Sequence, residues 1–161
     1  MKRLILMRHA KSDWSLGLED HDRPLNKRGQ RSAEAIGYWL ARKGLSPDEI
    51  LCSTSKRTRE TLGLLGATAE PRFEAVLYNA EPRAMLDCLK DASGETVLMI
   101  GHNPGICVFA HELLASDPDH PRFEDYPTCA TLVAEFEIDD WSALRPGSGV
   151  ARDFVVPREL I

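Results

Sequence analysis

The chain has 161 residues, 43% of them hydrophobic and 28% charged, with a formal net charge of −5. A chain of this length buries a sizeable core without metal or disulfide support, so a single domain over 1–161 is expected. The excess of acid excludes a general nucleic-acid binder, which needs a basic footprint, and no apolar run is long enough to span a bilayer.

In chain order, Lys2 and Arg3 precede the apolar run Leu4-Ile5-Leu6-Met7, which Arg8 ends after four residues. That is shorter than a signal-peptide core, so a cytoplasmic location is expected. Four consecutive apolar residues suit a central strand covered on both faces, and in open α/β sheets ligands bind beyond the carboxyl ends of such strands. Arg8 and His9 fall at that end. An isolated Arg-His pair is as well read as a surface charge beside a core histidine, so the pair gains meaning only if other segments deliver matching groups to it. Residues 12–25 form a polar loop, and Asn26 caps a helix to about Lys43, where Gly44 stops it. Ile36, Trp39 and Leu40 share one face of that helix, which makes Trp39 a core residue.

Glu49 to Cys52 reads as a second strand, and Ser53-Thr54-Ser55 as a turn capping the next helix, with Leu62 and Leu65 inward. Arg57 lies in the first turn of that helix, where backbone amides and the helix dipole favour an anion. A third strand is expected near Phe73 to Leu77, followed by a helix from Pro82 to about Ala92 with Met85, Leu86 and Leu89 buried. Thr96 to Ile100 is a second strongly buried strand, ending in Gly101-His102-Asn103-Pro104-Gly105. Asn103 as cap and Pro104 as first helical residue start a helix with Ile106, Phe109, Ala110, Leu113 and Leu114 on one face. Residues 116–129 are the best candidate for a flap over a cleft. Ala130 to Ile138 alternates like an edge strand with one wetter face, and Val150 to Val156 pairs with it as the last strand.

The expected fold is thus α/β, a three-layer αβα sandwich with a mostly parallel sheet of about six strands and an antiparallel C-terminal edge strand. Such a sheet brings Arg8-His9, Arg57 and His102 to one edge, although they come from three separate strand-to-helix junctions. Two planar guanidinium forks and an imidazole match the tetrahedral oxygens of a phosphoryl group, leaving His9 as nucleophile. Residues 1–31 carry eight Lys or Arg against four acids, so a positive pocket on an acidic protein is consistent with that anion. Cys52, Cys88, Cys107 and Cys129 have no metal-ligand spacing and read as free thiols.

The motifs Leu6-Met7-Arg8-His9-Ala10, Ser53-Thr54-Ser55-Lys56-Arg57-Thr58-Arg59-Glu60-Thr61 and Ile100-Gly101-His102-Asn103-Pro104 together resemble the histidine phosphatase superfamily, also called phosphoglycerate-mutase-like. Arg-His-Ala-Lys-Ser, the Asp-Arg-Pro-Leu-Asn run at 22–26 and Gly-His-Asn-Pro-Gly are similar to its SixA-type phosphohistidine phosphatase branch. The resemblance implies a phosphatase acting on phosphohistidine in proteins, in which His9 forms a covalent phosphohistidine intermediate while Arg8, Arg57 and His102 hold the phosphoryl oxygens. It implies neither metal nor cofactor, since the arginines supply the positive charge. The implied partner is a phosphorylated signalling or phosphotransfer protein. Other members use a glutamate after the third strand as general acid, and the comparable position here offers only Glu81, which also suits a simple helix start. Two alternatives stay open: a small-molecule phosphomonoesterase of the same superfamily, and a non-catalytic phosphate-binding module.

Overall fold

The computed structural model describes residues 1–161. Six strands, β1 (Lys2–Arg8), β2 (Glu49–Ser53), β3 (Pro71–Glu74), β4 (Thr96–Gly101), β5 (Thr131–Phe136) and β6 (Val150–Val155), form one sheet in the order β3-β2-β4-β1-β5-β6. The first four run parallel, β5 is antiparallel to β1, and β6 is antiparallel to β5. Helices α1 (Lys27–Arg42), α2 (Lys56–Gly63), α3 (Pro82–Lys90) and α4 (Gly105–Leu113) cover the two faces. Alternation along the strands builds both cores. Leu4, Leu6, Val97 and Met99 meet Met85 and Leu89 of α3 and Ile106 and Phe109 of α4, while Ile5, Met7, Leu98 and Ile100 meet Ile36, Trp39 and Leu40 of α1. The expected αβα layering and antiparallel C-terminal edge follow, and Trp39 is core. No helix is long and apolar enough to cross a membrane.

Four local expectations need correction. β3 ends at Glu74, and Ala75–Leu77 winds into a 3₁₀ turn in which only Leu77 is buried. As an edge strand paired only with β2, it has nothing beyond it to extend the ladder or cover Val76. β5 is internal rather than edge-like: β6 pairs along its outer side, and with Val133 packed in the core on the α1 face, Thr131 and Val133 are as fully buried as Leu132 and Ala134. α4 starts at Gly105 rather than Pro104, behind a cis Asn103–Pro104 bond, although the Asn103 side chain still accepts from the Cys107 amide at 3.2 Å.

The fourth is at residues 116–129, whose second half, 123–129, packs as a wall rather than standing free as a flap, while 116–122 has no buried residue. Phe123, Tyr126 and Cys129 are buried, and the Tyr126 hydroxyl donates to the Leu6 carbonyl at 2.5 Å. Tyr126 sits at φ 46, a left-handed conformation that a bulky residue keeps only when its surroundings determine it. Its hydroxyl, anchored under β1, supplies that constraint.

Candidate active site

The two central parallel strands, β1 and β4, are in register with Arg8 opposite Gly101, so the next residues, His9 and His102, leave the sheet side by side. Their ring centroids are 5.2 Å apart. The His9 amide donates to the Gly101 carbonyl at 3.1 Å, which extends the ladder one step into the site. Arg57 arrives from β2 through the short turn into α2, whose Ser55 cap accepts from the Thr58 amide at 3.3 Å. Two further residues of that motif fix the helix against its neighbours: Glu60 accepts from the Leu25 amide at 2.8 Å, and the Thr61 hydroxyl accepts from the Ala10 amide at 3.0 Å.

The result is a cleft of about 260 Å³ containing Arg8, His9, Arg57 and His102, as the sequence leads one to expect. Its wall also carries the cations Lys11 and Arg23 and a single carboxylate, Asp20, so the cleft is built for an anion. His9, Arg57 and His102 are 7%, 3% and 2% exposed. Nε of Arg8 and of Arg57 are buried donors without a protein partner, so these two guanidinium groups are not fully saturated by the fold.

Hydrogen-bond chemistry assigns both imidazole tautomers. His9 Nδ1 lies 2.7 Å from the Ala10 carbonyl, which can only accept, so Nδ1 carries the proton and Nε2 keeps its lone pair. His102 Nδ1 faces Arg57 Nη2 at 3.3 Å, and a guanidinium only donates, so His102 is protonated on Nε2, which donates to Ser53 Oγ at 2.8 Å. Burial, with His102, Arg57 and Arg8 as neighbours, pushes His9 down to about 3. Burial followed by the Arg57 charge does the same to His102, also to about 3. Both rings are therefore neutral in the folded protein at neutral pH.

This neutrality couples stability to pH. In the unfolded chain both rings protonate near 6.5; in the folded protein they resist protonation down to about 3. Across that window the unfolded state binds more protons, so stability is full above about pH 6.5 and is lost as pH falls, by up to ~1.4 kcal/mol per pH unit for each ring. Urea midpoints should drop between about pH 6.5 and 4.5, above the range where ordinary carboxylates titrate. His102→Gln should lose about half the slope. A wild-type midpoint that is flat over this window would refute the buried neutral assignment.

The sequence reading missed Asp20. Its Oδ2 accepts from the Tyr78 hydroxyl and, at 3.0 Å, from Arg57 Nη2, its Oδ1 accepts from Arg23 Nη1 at 2.8 Å, and its backbone carbonyl accepts from Arg57 Nη1 at 2.6 Å. Tyr78, then Arg57 and Arg23, hold its carboxyl well below the usual range. Asp20 is thus a fixed anion that orients Arg57, unsuited to giving up a proton. Arg23 is buried, donates through Nε to Ser12 Oγ at 2.9 Å and stacks 3.6 Å over the Trp14 ring. The only hint was the Asp-Arg-Pro-Leu-Asn run at 22–26, since a loop carries no periodicity from which to read a side chain's direction. Glu81 is the one expected site residue that the structure leaves out. It is the exposed cap residue of α3, makes no capping bond and does not line the cleft. Its backbone φ of −79 sends the chain directly into the Pro82 helix, the structural role that its position allowed. No group of three or more His, Cys, Asp or Glu is placed to hold a metal ion.

A cation-lined cleft at the carboxyl edge of a parallel sheet, with two neutral histidines on adjacent strands, defines an anion-handling α/β protein. A model of the histidine phosphatase superfamily (branch 1) matches residues 4–81, which carry Arg8, His9 and Arg57. An uncharacterized protein of Mycobacterium tuberculosis (strain CDC 1551 / Oshkosh) is 34% identical over 159 residues, 94% of this chain and 100% of that one. The structure of a candidate phosphohistidine phosphatase SixA from Nakamurella multipartitia is similar at a TM-score of 0.83 and 30% identity, over 97% of this chain and 96% of that one. Its counterpart from Agrobacterium tumefaciens follows at 0.78 and 26%, over 97% and 98%. The chain belongs to the histidine phosphatase superfamily and is of its SixA type.

Proposed function

We propose that this phosphatase removes the phosphoryl group from phosphohistidine on proteins, through a covalent intermediate on His9. The observation that carries the reading is that the cleft's one carboxylate, Asp20, is held ionised by three donors. An alkoxide leaving from phosphoserine or a sugar phosphate needs a positioned acid, which contributes typically ~10²–10⁴-fold. An imidazole leaving from phosphohistidine brings its own proton, since a histidine ring has a pKa of about 6.5.

In this scheme His9 Nε2 donates its lone pair to phosphorus as the bond from phosphorus to the substrate nitrogen breaks, and the protonated substrate imidazole departs neutral. The Nδ1 proton on Ala10 O stabilises the positive charge that forms on the His9 ring. Arg8 and Arg57 hold the equatorial oxygens with their planar forks. Water then attacks the phosphohistidine, releasing inorganic phosphate and neutral His9.

The test compares kcat/KM for a phosphohistidine protein, phosphoserine and a small sugar phosphate at one pH. Phosphohistidine should lead by at least ~10²-fold, the lower end of what a missing acid costs. Equal or faster turnover of phosphoserine or the sugar phosphate would refute the reading and require a proton donor elsewhere in the cleft.

A further inference from the structure

A second depression, of about 350 Å³, adjoins the catalytic cleft, and Thr128 lines both. Its walls carry Arg28 and Arg31 from the first turns of α1, Arg158 from the 3₁₀ turn Pro157–Glu159, and Arg122 from just before the packed wall at 123–129. Arg28 and Arg31 are three residues apart and so project from one side of the helix. Arg28, Arg31 and Arg158 are exposed, and none takes part in an ion pair or a side-chain hydrogen bond. The chain as a whole is acidic, at 25 Asp and Glu to 20 Lys and Arg, and elsewhere Arg3, Arg72, Arg83 and Arg152 each sit on a carboxylate. Arg122 is the partial exception in the groove, since it is bound to Asp125 at 2.9 Å. Three unpaired guanidinium groups gathered on an acidic protein repel one another.

We propose that this arginine groove docks an acidic segment of the phosphorylated partner protein, placing the phosphohistidine in the adjoining cleft. The inference rests on the phosphoprotein reading above. Planar guanidinium forks match carboxylates two oxygens at a time, so a stretch with several Asp or Glu fits the groove, whereas a basic stretch is repelled by it. Because Thr128 lines both, a segment docked in the groove lies next to the cleft. Recognition by exposed charge makes the attraction sensitive to salt and places its effect on capture of the substrate rather than on the chemical step.

Two histidine peptides phosphorylated with phosphoramidate, one flanked by glutamates and the other by lysines, test this against the triple variant Arg28→Glu/Arg31→Glu/Arg158→Glu. For the wild type, kcat/KM should favour the acidic peptide by at least ~10-fold at low salt, a preference that shrinks as salt rises. In the variant the preference should vanish or reverse, with hydrolysis of an activated aryl phosphate within about twofold of wild type. No preference in the wild type, or equal losses on peptide and aryl phosphate, overturns the docking role. A fluorescein-labelled Glu-rich peptide lacking histidine, titrated with vanadate in the cleft, separates this proposal from the phosphohistidine reading. Binding that the variant weakens by ~10-fold or more supports the groove even if neither phosphopeptide is turned over. Failure of the wild type to bind the peptide, or binding of inorganic pyrophosphate in its place, assigns the groove to a small polyanion or to nothing and overturns the proposal.

Discussion

Replacing His9 by alanine will abolish turnover and leave the protein folded. The ring stands one residue beyond the end of β1 and gives the fold one side-chain hydrogen bond, to Ala10 O, so its removal empties part of a polar cleft rather than the core. The backbone bonds of His9, its amide to Gly101 O at 3.1 Å and its carbonyl accepting from the Cys129 amide at 2.9 Å, survive the substitution. Loss of a nucleophile costs far more than loss of one supporting donor, which is worth ~10²–10³-fold, so activity should fall by more than ~10³-fold. The measurement is steady-state hydrolysis of an activated aryl phosphate, with circular dichroism as the folding control. Rapid quenching with ³²P-labelled substrate should trap an acid-labile, base-stable phosphoenzyme in the wild type and none in the variant. A folded His9→Ala protein that keeps more than about a hundredth of wild-type activity would place the nucleophile elsewhere.

Arg57→Lys should be almost as damaging, although it conserves charge. The guanidinium reaches the Asp20 carbonyl with Nη1 at 2.6 Å and the Asp20 carboxylate with Nη2 at 3.0 Å, while Nη2 also faces His102. A lysine ammonium cannot span these partners and two phosphoryl oxygens at once. We expect kcat/KM to fall by ~10²–10³-fold and the inhibition constants of phosphate and vanadate to rise by at least ~10-fold. Unchanged anion inhibition would show that Arg57 acts outside the phosphoryl subsite.

How well the chain could be read in advance depended on how each part is held. β1 and β4 were legible because strands buried on both faces must be continuously apolar, and the residue after such a run lies at the ligand edge. That placed Arg8, His9 and His102 without any contact being known. Arg57 was legible because the serine cap fixes where α2 starts. β3 was read too far along because Ala75-Val76-Leu77 is apolar in composition, yet Val76 is exposed at the sheet edge. Asp20, and the contacts of Arg23, were hidden for the opposite reason. Their positions follow from long-range bonds to Arg57, Tyr78 and Ser12, and no local pattern in residues 12–25 encodes those partners. Similarly, the wall at 123–129 reads as a loose polar loop until the Tyr126 hydroxyl is seen beneath Leu6.

The register that sets His9 beside His102 bears on how such a protein can diversify. Both histidines are fixed by the hydrogen-bond ladder of two interior strands, whereas Asp20, Asn79 and Thr128 come from three separate connections that merely border them. A connection tolerates insertion or exchange far more readily than an interior strand, where a one-residue slip turns every side chain to the other face. Mutational drift in these connections can therefore retune which molecules reach the two rings without touching the rings themselves. The chemistry is inherited with the sheet, while selectivity evolves separately, loop by loop.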